Sequence, residues 1–232
     1  MNFAEKLIKI ADNVQKNVEY GKSQGGTDWF YYAERFDSTF GGATFPENTE
    51  IVVRVRGTRL NNCGYMFNNC IGLKSVKMIT ETPDTVLDMS AFCSIASTTT
   101  PTLELVDLSE FNKKFKNTFN MFQYQAKLKT IIGAMDLTSC TNTTNMFRNN
   151  KSLEDVEFVE GTICLSINFS ACAKLNAKSL HSVMMGLSPT VTGQTLTLPN
   201  YEICKATYNA VYGEGSWDII AASKTNWTIA YA

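Results

Sequence analysis

An eleven-residue phrase that returns without gaps constrains this chain more than any other feature. It reads Met66-Phe67-Asn68-Asn69-Cys70-Ile71-Gly72-Leu73-Lys74-Ser75-Val76, then Met121-Phe122 through Leu128 to Ile131, then Met146-Phe147 through Leu153 to Val156. In each copy Leu follows Phe by six residues and a β-branched residue follows by nine. Two degenerate copies extend the series. Phe92 leads to Leu103 and Val106 with five extra residues within 94–102, and Phe169 leads to Leu175 with Leu180 in the β-branched place. The Phe anchors stand 25, 30, 25 and 22 residues apart.

A unit of that length cannot bury its own apolar face, so copies must stack into a shared core. The spacing predicts, per unit, a short helix or turn around Met-Phe, a polar bend and one short strand. The strands fall at 73–78, 103–108, 128–133 and 153–158, with Val76, Met78, Val106, Leu108, Val156 and Phe158 inward by alternation. The insertion at 94–102 should bulge from one unit. The residue after each strand-leading Leu is Lys74, Glu104, Lys129 and Glu154. Stacked in register, these opposite charges attract across adjacent strands; four unrelated solvated residues are the alternative.

Chemistry is sparse by comparison. One histidine, His181, serves all 232 residues, and formal charge is −1. The charge disfavours a broad nucleic-acid surface, and the lone His thins the supply of general bases. No segment reaches the ~20 apolar residues of a membrane span, and the first residues lack an apolar export core. P-loop, dinucleotide-fingerprint, zinc-protease and EF-hand patterns are missing. No G-x-S-x-G accompanies His181. The seven cysteines include no C-x-x-C. Cys70 and Cys172, each three residues after its Phe, read as small buried hydrophobes. Asn-x-Ser/Thr triplets begin at Asn142, Asn150, Asn168 and Asn226, and would matter only in a eukaryotic secretory route. Asp155 and Glu157 would share a strand face ~7 Å apart, which leaves a carboxylate pair for sugar hydrolysis as an alternative to an exposed acidic face.

The Met-Phe…Leu-x-x-Val units resemble the BspA-like leucine-rich repeats of bacterial surface and prophage proteins. The opening, Phe3-Ala-Glu-Lys-Leu-Ile-Lys-Ile-Ala-Asp-Asn-Val14, then Val18 to Lys22 and an aromatic stretch from Asp28, resembles that of phage-encoded minor structural proteins of Gram-positive hosts. The ending does too, with Gly193-Gln-Thr-Leu-Thr-Leu-Pro199 and Ala222-Ser-Lys-Thr-Asn-Trp-Thr-Ile-Ala230. The insertion at 94–102 departs from the pattern. The resemblance implies a virion or tail component.

The expected fold is an α/β repeat: a leucine-rich-repeat-like solenoid with short parallel strands, an N-terminal helix and a mixed α/β C-terminal cap. Residues 1–26 form the attachment or oligomerisation helix and hinge, with Leu7, Ile10 and Val14 on a coiled-coil-like stripe and Gly21, Gly25 and Gly26 after it. A helix packed on its own domain is the alternative. Residues 27–60 form an N-terminal cap carrying Trp29, Phe30, Tyr31, Tyr32, Phe36, Phe40 and Phe45, with a carbohydrate or partner platform as the other reading. Arg54, Arg56 and Arg59 follow there on or near one strand face. Residues 61–187 are the solenoid. Residues 188–232 are the C-terminal cap, with a strand at 195–198, helices at 203–212 and 217–223, and a last strand at 226–231.

The expected function is a non-enzymatic structural and binding component of a phage tail or phage-like particle, at the baseplate or tail periphery. Such a protein belongs to the virion and is assembled in the bacterial cytoplasm. Its partners are other tail proteins through the N-terminal helix, a second and third copy in a trimer, and a host-surface glycan or protein, with no cofactor and no metal. The candidate receptor-binding face is Ser75, Lys77, Asp107, Thr130, Asp155 and Glu157. The rivals are a purely structural virion protein, a bacterial surface adhesin with the same repeat, and a glycan hydrolase.

Overall fold

The computed structural model describes residues 21–22, 28–32, 38–56, 62–80, 86–111 and 114–232. Leu7, Ile10, Val14, Phe36 and Arg59 lie outside them, as do the side chains of 28–32, Arg54 and Arg56. The chain is mixed α/β. Strands β1 (Gly21–Lys22), β2 (Asp28–Tyr32), β3 (Thr44–Arg56), β4 (Ile71–Thr80), β6 (Leu105–Glu110) and β8 (Thr130–Ile132) form one sheet in the order β1-β2-β3-β4-β6-β8. All its pairings are parallel except β1–β2. Parallel pairing of consecutive strands requires the chain to return between them, and the Met-Phe turns do this. A second, two-stranded sheet joins β5 (Leu87–Asp88) to β7 (Phe115–Asn117). A third runs β11-β10-β9 through β9 (Ile167–Asn168), β10 (Gln194–Leu198) and β11 (Trp227–Tyr231). Helices α1 (Ala177–Gly186), α2 (Tyr201–Tyr212) and α3 (Ser216–Ala222) complete the described elements.

The repeated apolar residues make one core. Val76, Met78, Val106, Leu108, Val156 and Phe158 are all buried, and so are Phe67, Phe92, Phe122, Phe147 and Phe169. The rings stack from unit to unit: Phe40 on Phe67 at 5.0 Å, Phe122 on Phe147 at 5.9 Å, and Phe147 on Phe169 at 4.6 Å.

Each Met-Phe phrase is a turn, not a helix. The first residue of the turn, just before each Met, sits in the left-handed region: φ is 57° at Tyr65, 55° at Asn120 and 57° at Asn145. That conformation costs most residues with a side chain energy, and Asn among the least of them. Successive turns are tied by equivalent backbone bonds. Phe67 N donates to Phe92 O (2.8 Å), Cys93 N to Met121 O (2.8 Å) and Phe122 N to Met146 O (3.0 Å).

This register corrects one alignment. Phe92 is level with Met66 and Met121, and Cys93 occupies the Phe position. Ala91, at φ 49°, confirms the match to Tyr65 and Asn120. The pattern also starts one unit earlier than the sequence phrase suggests. Phe40 N donates to Met66 O (2.8 Å), and Ser38 has φ 58°.

Two side-chain positions hold the turns. Asn62, Asp88, Asn117 and Asn142 each accept the N–H two residues on, from Gly64, Ser90, Phe119 and Thr144, at 2.8 to 3.1 Å. These are Asx turns. Three residues after the Phe position, a buried donor reaches the preceding unit. Cys70 Sγ donates to Phe40 O (3.0 Å), Asn150 Nδ2 to Phe122 O (3.0 Å) and Cys172 Sγ to Phe147 O (3.9 Å). Gln125 Nε2, in the same place, donates to Cys93 O (2.6 Å). The two cysteines are therefore buried, as expected, but they also serve as weak second donors to carbonyls that already accept Ala43 N (2.9 Å) and Asn150 N (3.2 Å). Burial also raises the Cys172 thiol to about 12.

The strand expected at 153–158 does not form; only bridges at Asp155 and Phe158 remain. The reason is its neighbour. The next element there is helix α1, and a helix offers no ladder of carbonyls. Instead Val156 N donates to Ser179 Oγ and Phe158 N to Ser182 Oγ, both at 2.9 Å. Asn176 caps α1 by accepting Ser179 N (2.9 Å). Gly72 marks a close backbone approach between β3 and β4. Its φ is +84°, and a Cβ there would lie 2.1 Å from Phe45 O.

Candidate functional site

The parallel register sorts the expected face into two rows. Ser75 pairs with Leu105, Leu105 with Thr130 and Thr130 with Asp155; Lys77 pairs with Asp107 and Asp107 with Ile132. Glu157 lies two residues beyond Asp155. All six expected residues are therefore brought to one side of the sheet, and each is half-buried. Leu105 and Ile132 stand in the same rows and were missing from the expected set. The strand offset shows why: residues two apart share a face, and both lie two positions from a residue in the set.

The charges of this face are largely spent on one another. Lys77 Nζ bonds Glu110 and lies 3.6 Å from Asp107. The Glu110 hydrogen bond, with Asp107 beside it, holds the Lys77 ammonium above its ordinary value. Asp107 also accepts Ser109 N (2.9 Å) and Ser109 Oγ (2.6 Å). Asp155 accepts from Asn176 Nδ2, and Glu157 pairs with Lys178, whose pKa that contact raises. The adjacent row pairs Lys74 with Glu50 (3.3 Å) and Lys129 with Glu104 (3.1 Å). Lys129 holds the Glu104 carboxyl below its usual range, first by hydrogen bond and then by charge, with Lys74 adding to it. Of the expected series Lys74, Glu104, Lys129 and Glu154, the ion pair seen among the described residues is Glu104–Lys129, while Lys74 pairs with Glu50.

Two hollows lie away from this face. One, of about 410 Å³, is lined by Glu202, Lys205, Ala206, Asn209, Ala210 and Glu214. Glu202 lies in the first turn of α2, and Glu214 lies beyond its end, after the break at Gly213. The other, of about 320 Å³, is lined by Asn145, Phe147, Arg148, Asn149, Asn168, Ser170 and Ala171. No acid lines it. His181 belongs to neither; its Nδ1 meets the Tyr208 hydroxyl at 2.8 Å and its ring stacks on Tyr212 at 5.0 Å.

The four Asn-x-Ser/Thr triplets have structural uses. Asn142 and Asn168 accept nearby N–H groups, Asn150 is fully buried, and Asn226 Nδ2 donates to Ser188 O (2.9 Å) and Val191 O (2.6 Å). Among the described residues no group of three or more His, Cys, Asp or Glu is placed to hold a metal ion, and no helix is long and apolar enough to cross a membrane. No family model matches the chain, and no curated protein or solved structure is similar to it.

Proposed function

We propose that the stacked units form a leucine-rich-repeat-like solenoid, and that the chain is a non-enzymatic structural and binding component of a phage tail or phage-like particle. Its repeat surface faces a host-cell receptor, and the stripe of Leu7, Ile10 and Val14 joins it to neighbouring tail proteins or to two further copies. The supporting observation is the recurrence of one turn from Phe40 to Phe147, bonded backbone to backbone. Repetition of this kind gives a stiff frame with long regular faces, which suits recognition. The resemblance of both flanks to phage minor structural proteins supplies the setting. The engagement of Asp155 by Asn176 and of Glu157 by Lys178 weighs against the hydrolase.

The self-paired charges of the strand face favour a second reading. A surface whose ions are already matched offers little electrostatic steering to an outside ligand, as expected of a virion protein that binds only its neighbours. Mass spectrometry of purified particles tests both readings. The polypeptide is expected in intact particles; recovery only from cell envelopes supports the surface adhesin and ends the tail assignment. Deleting residues 1–22 should lower the mass seen by light scattering, and an unchanged mass removes the oligomerisation role.

A further inference from the structure

The ladder that ties one turn to the next stops at the Phe147 turn, and the stop creates a cleft. In three earlier turns, alternate N–H groups donate forward: Tyr65, Phe67 and Asn69; Ala91, Cys93 and Ile95; Asn120, Phe122 and Tyr124. The equivalent groups of the Phe147 turn are the N–H of Asn145, Phe147 and Asn149. Among the described residues nothing accepts from them. The split begins at Thr143, which reaches Ser166 O through its hydroxyl (2.6 Å), where Thr118 in the previous unit uses both its N–H (2.9 Å) and its hydroxyl (3.1 Å) on Asn142 O. Beyond it, Phe169 N turns away to Thr197 O (2.7 Å). The next wall is Asn168, Ser170 and Ala171, and the hollow of about 320 Å³ lies between.

The donors are the point. Phe147 lines the hollow while its ring is stacked between Phe122 and Phe169. Arg148 sits at the rim with its guanidinium 5.3 Å from the Tyr124 ring centroid and no carboxylate partner among the described residues. Asn168 Oδ1 accepts Ser170 N (2.8 Å), which leaves its amide N–H₂ to donate. Asn145, Asn149 and Ser170 add an amide, an amide and a hydroxyl. Three orphaned N–H groups, one cation, several neutral polar groups and no acid make a receptor for an oxyanion. Amides and a hydroxyl around it suit sugar hydroxyls, and the volume admits about one ring.

We propose that this cleft binds the acidic unit of a saccharide, its carboxylate or phosphate held by the N–H groups of Asn145, Phe147 and Asn149 with Arg148, and its hydroxyls by Asn168 and Ser170. The oxyanion assignment stands on the open donors. The saccharide assignment rests on the receptor-binding function proposed above.

Amide NMR on the isotope-labelled full-length chain tests it, with D-glucuronate, D-glucose and inorganic phosphate as probes. Glucuronate should move the Asn145, Phe147 and Asn149 amide resonances first, and glucose at the same concentration should not. Arg148→Ala and Ser170→Glu should each weaken glucuronate at least tenfold while distant resonances stay in place. Silence at those three amides overturns the site. An equal response to glucose overturns the oxyanion. An equal response to phosphate alone overturns the saccharide. The titration needs no particle, so a chain missing from virions leaves a positive result standing, and a silent titration leaves the virion assay untouched.

Discussion

Along the chain the strands of successive units shrink while their turns persist. β4 has ten residues, β6 six and β8 three, and the unit at Asp155 keeps isolated bridges only. The turns at Phe67, Phe122 and Phe147 keep the left-handed first residue, the Asx bond and the buried donor throughout. A strand's hydrogen bonds depend on its neighbour being a strand, and at α1 they give way to two serine hydroxyls. A turn of this kind carries its determinants within itself. The units are therefore specified on the turn side and adaptable on the strand side, and mutation should separate the two.

The largest separation is expected in the ring stack. Phe122 is fully buried between units, and Phe122→Ala should cost about 3–5 kcal/mol by chemical denaturation. Ile132→Ala, on the strand side and 40% exposed, should stay within about 1 kcal/mol. Comparable losses at the two sites would break the contrast. Next comes the buried donor. Asn150 supplies two bonds, to Phe122 O and to Gln125 O (3.1 Å). Asn150→Ala should cost about 2 kcal/mol, because two buried hydrogen bonds are lost, although each carbonyl keeps a backbone donor, Gln125 N or Leu128 N. Asp88→Ala removes the acceptor for Ser90 N and a contact to Asn117 Nδ2 (3.4 Å). Its half-exposed position lets water substitute, so about 1 kcal/mol is expected. A reversed order for Asn150 and Asp88 would show that the Asx bonds, not the buried donors, hold the turn.

The apolar half of this arrangement was legible in the sequence because burial writes itself as spacing. Leu73, Leu128, Leu153 and Leu175 recur six residues after a Phe, and all are buried. Phe92 misleads because its unit exchanges a Met-Phe pair for Phe-Cys, so the aromatic residue moves one place while the backbone does not. Gln125, Asn150 and the cysteines look unrelated as letters and become equivalent only through the carbonyl each one reaches. Asn176, Ser179 and Ser182 do carry a signal, three polar residues at helical spacing on a helix with an apolar face. Nothing in the letters marks Asn145, Phe147 and Asn149 as open donors, since that property belongs to the partner that is not there.

The smallest effect expected concerns the ion pairs of the strand side, and its sign with pH is its test. Glu104 is partly exposed, and exposed pairs contribute little. Lys129 nevertheless lowers its carboxyl in the folded chain. A group lowered on folding contributes stability above its unfolded-state value and loses it as pH falls through the folded-state value. Lys77 is raised, so its contribution is complete below the ordinary lysine value and is lost as pH rises through the raised one. Glu104→Gln should thus be slightly less stable than the parent at neutral pH. The gap should close through the acid side of the carboxylate range, and high salt should narrow it at neutral pH. A gap that widens in acid would mean Glu104 is strained against its neighbours, and the strand side would then be specified rather than adaptable.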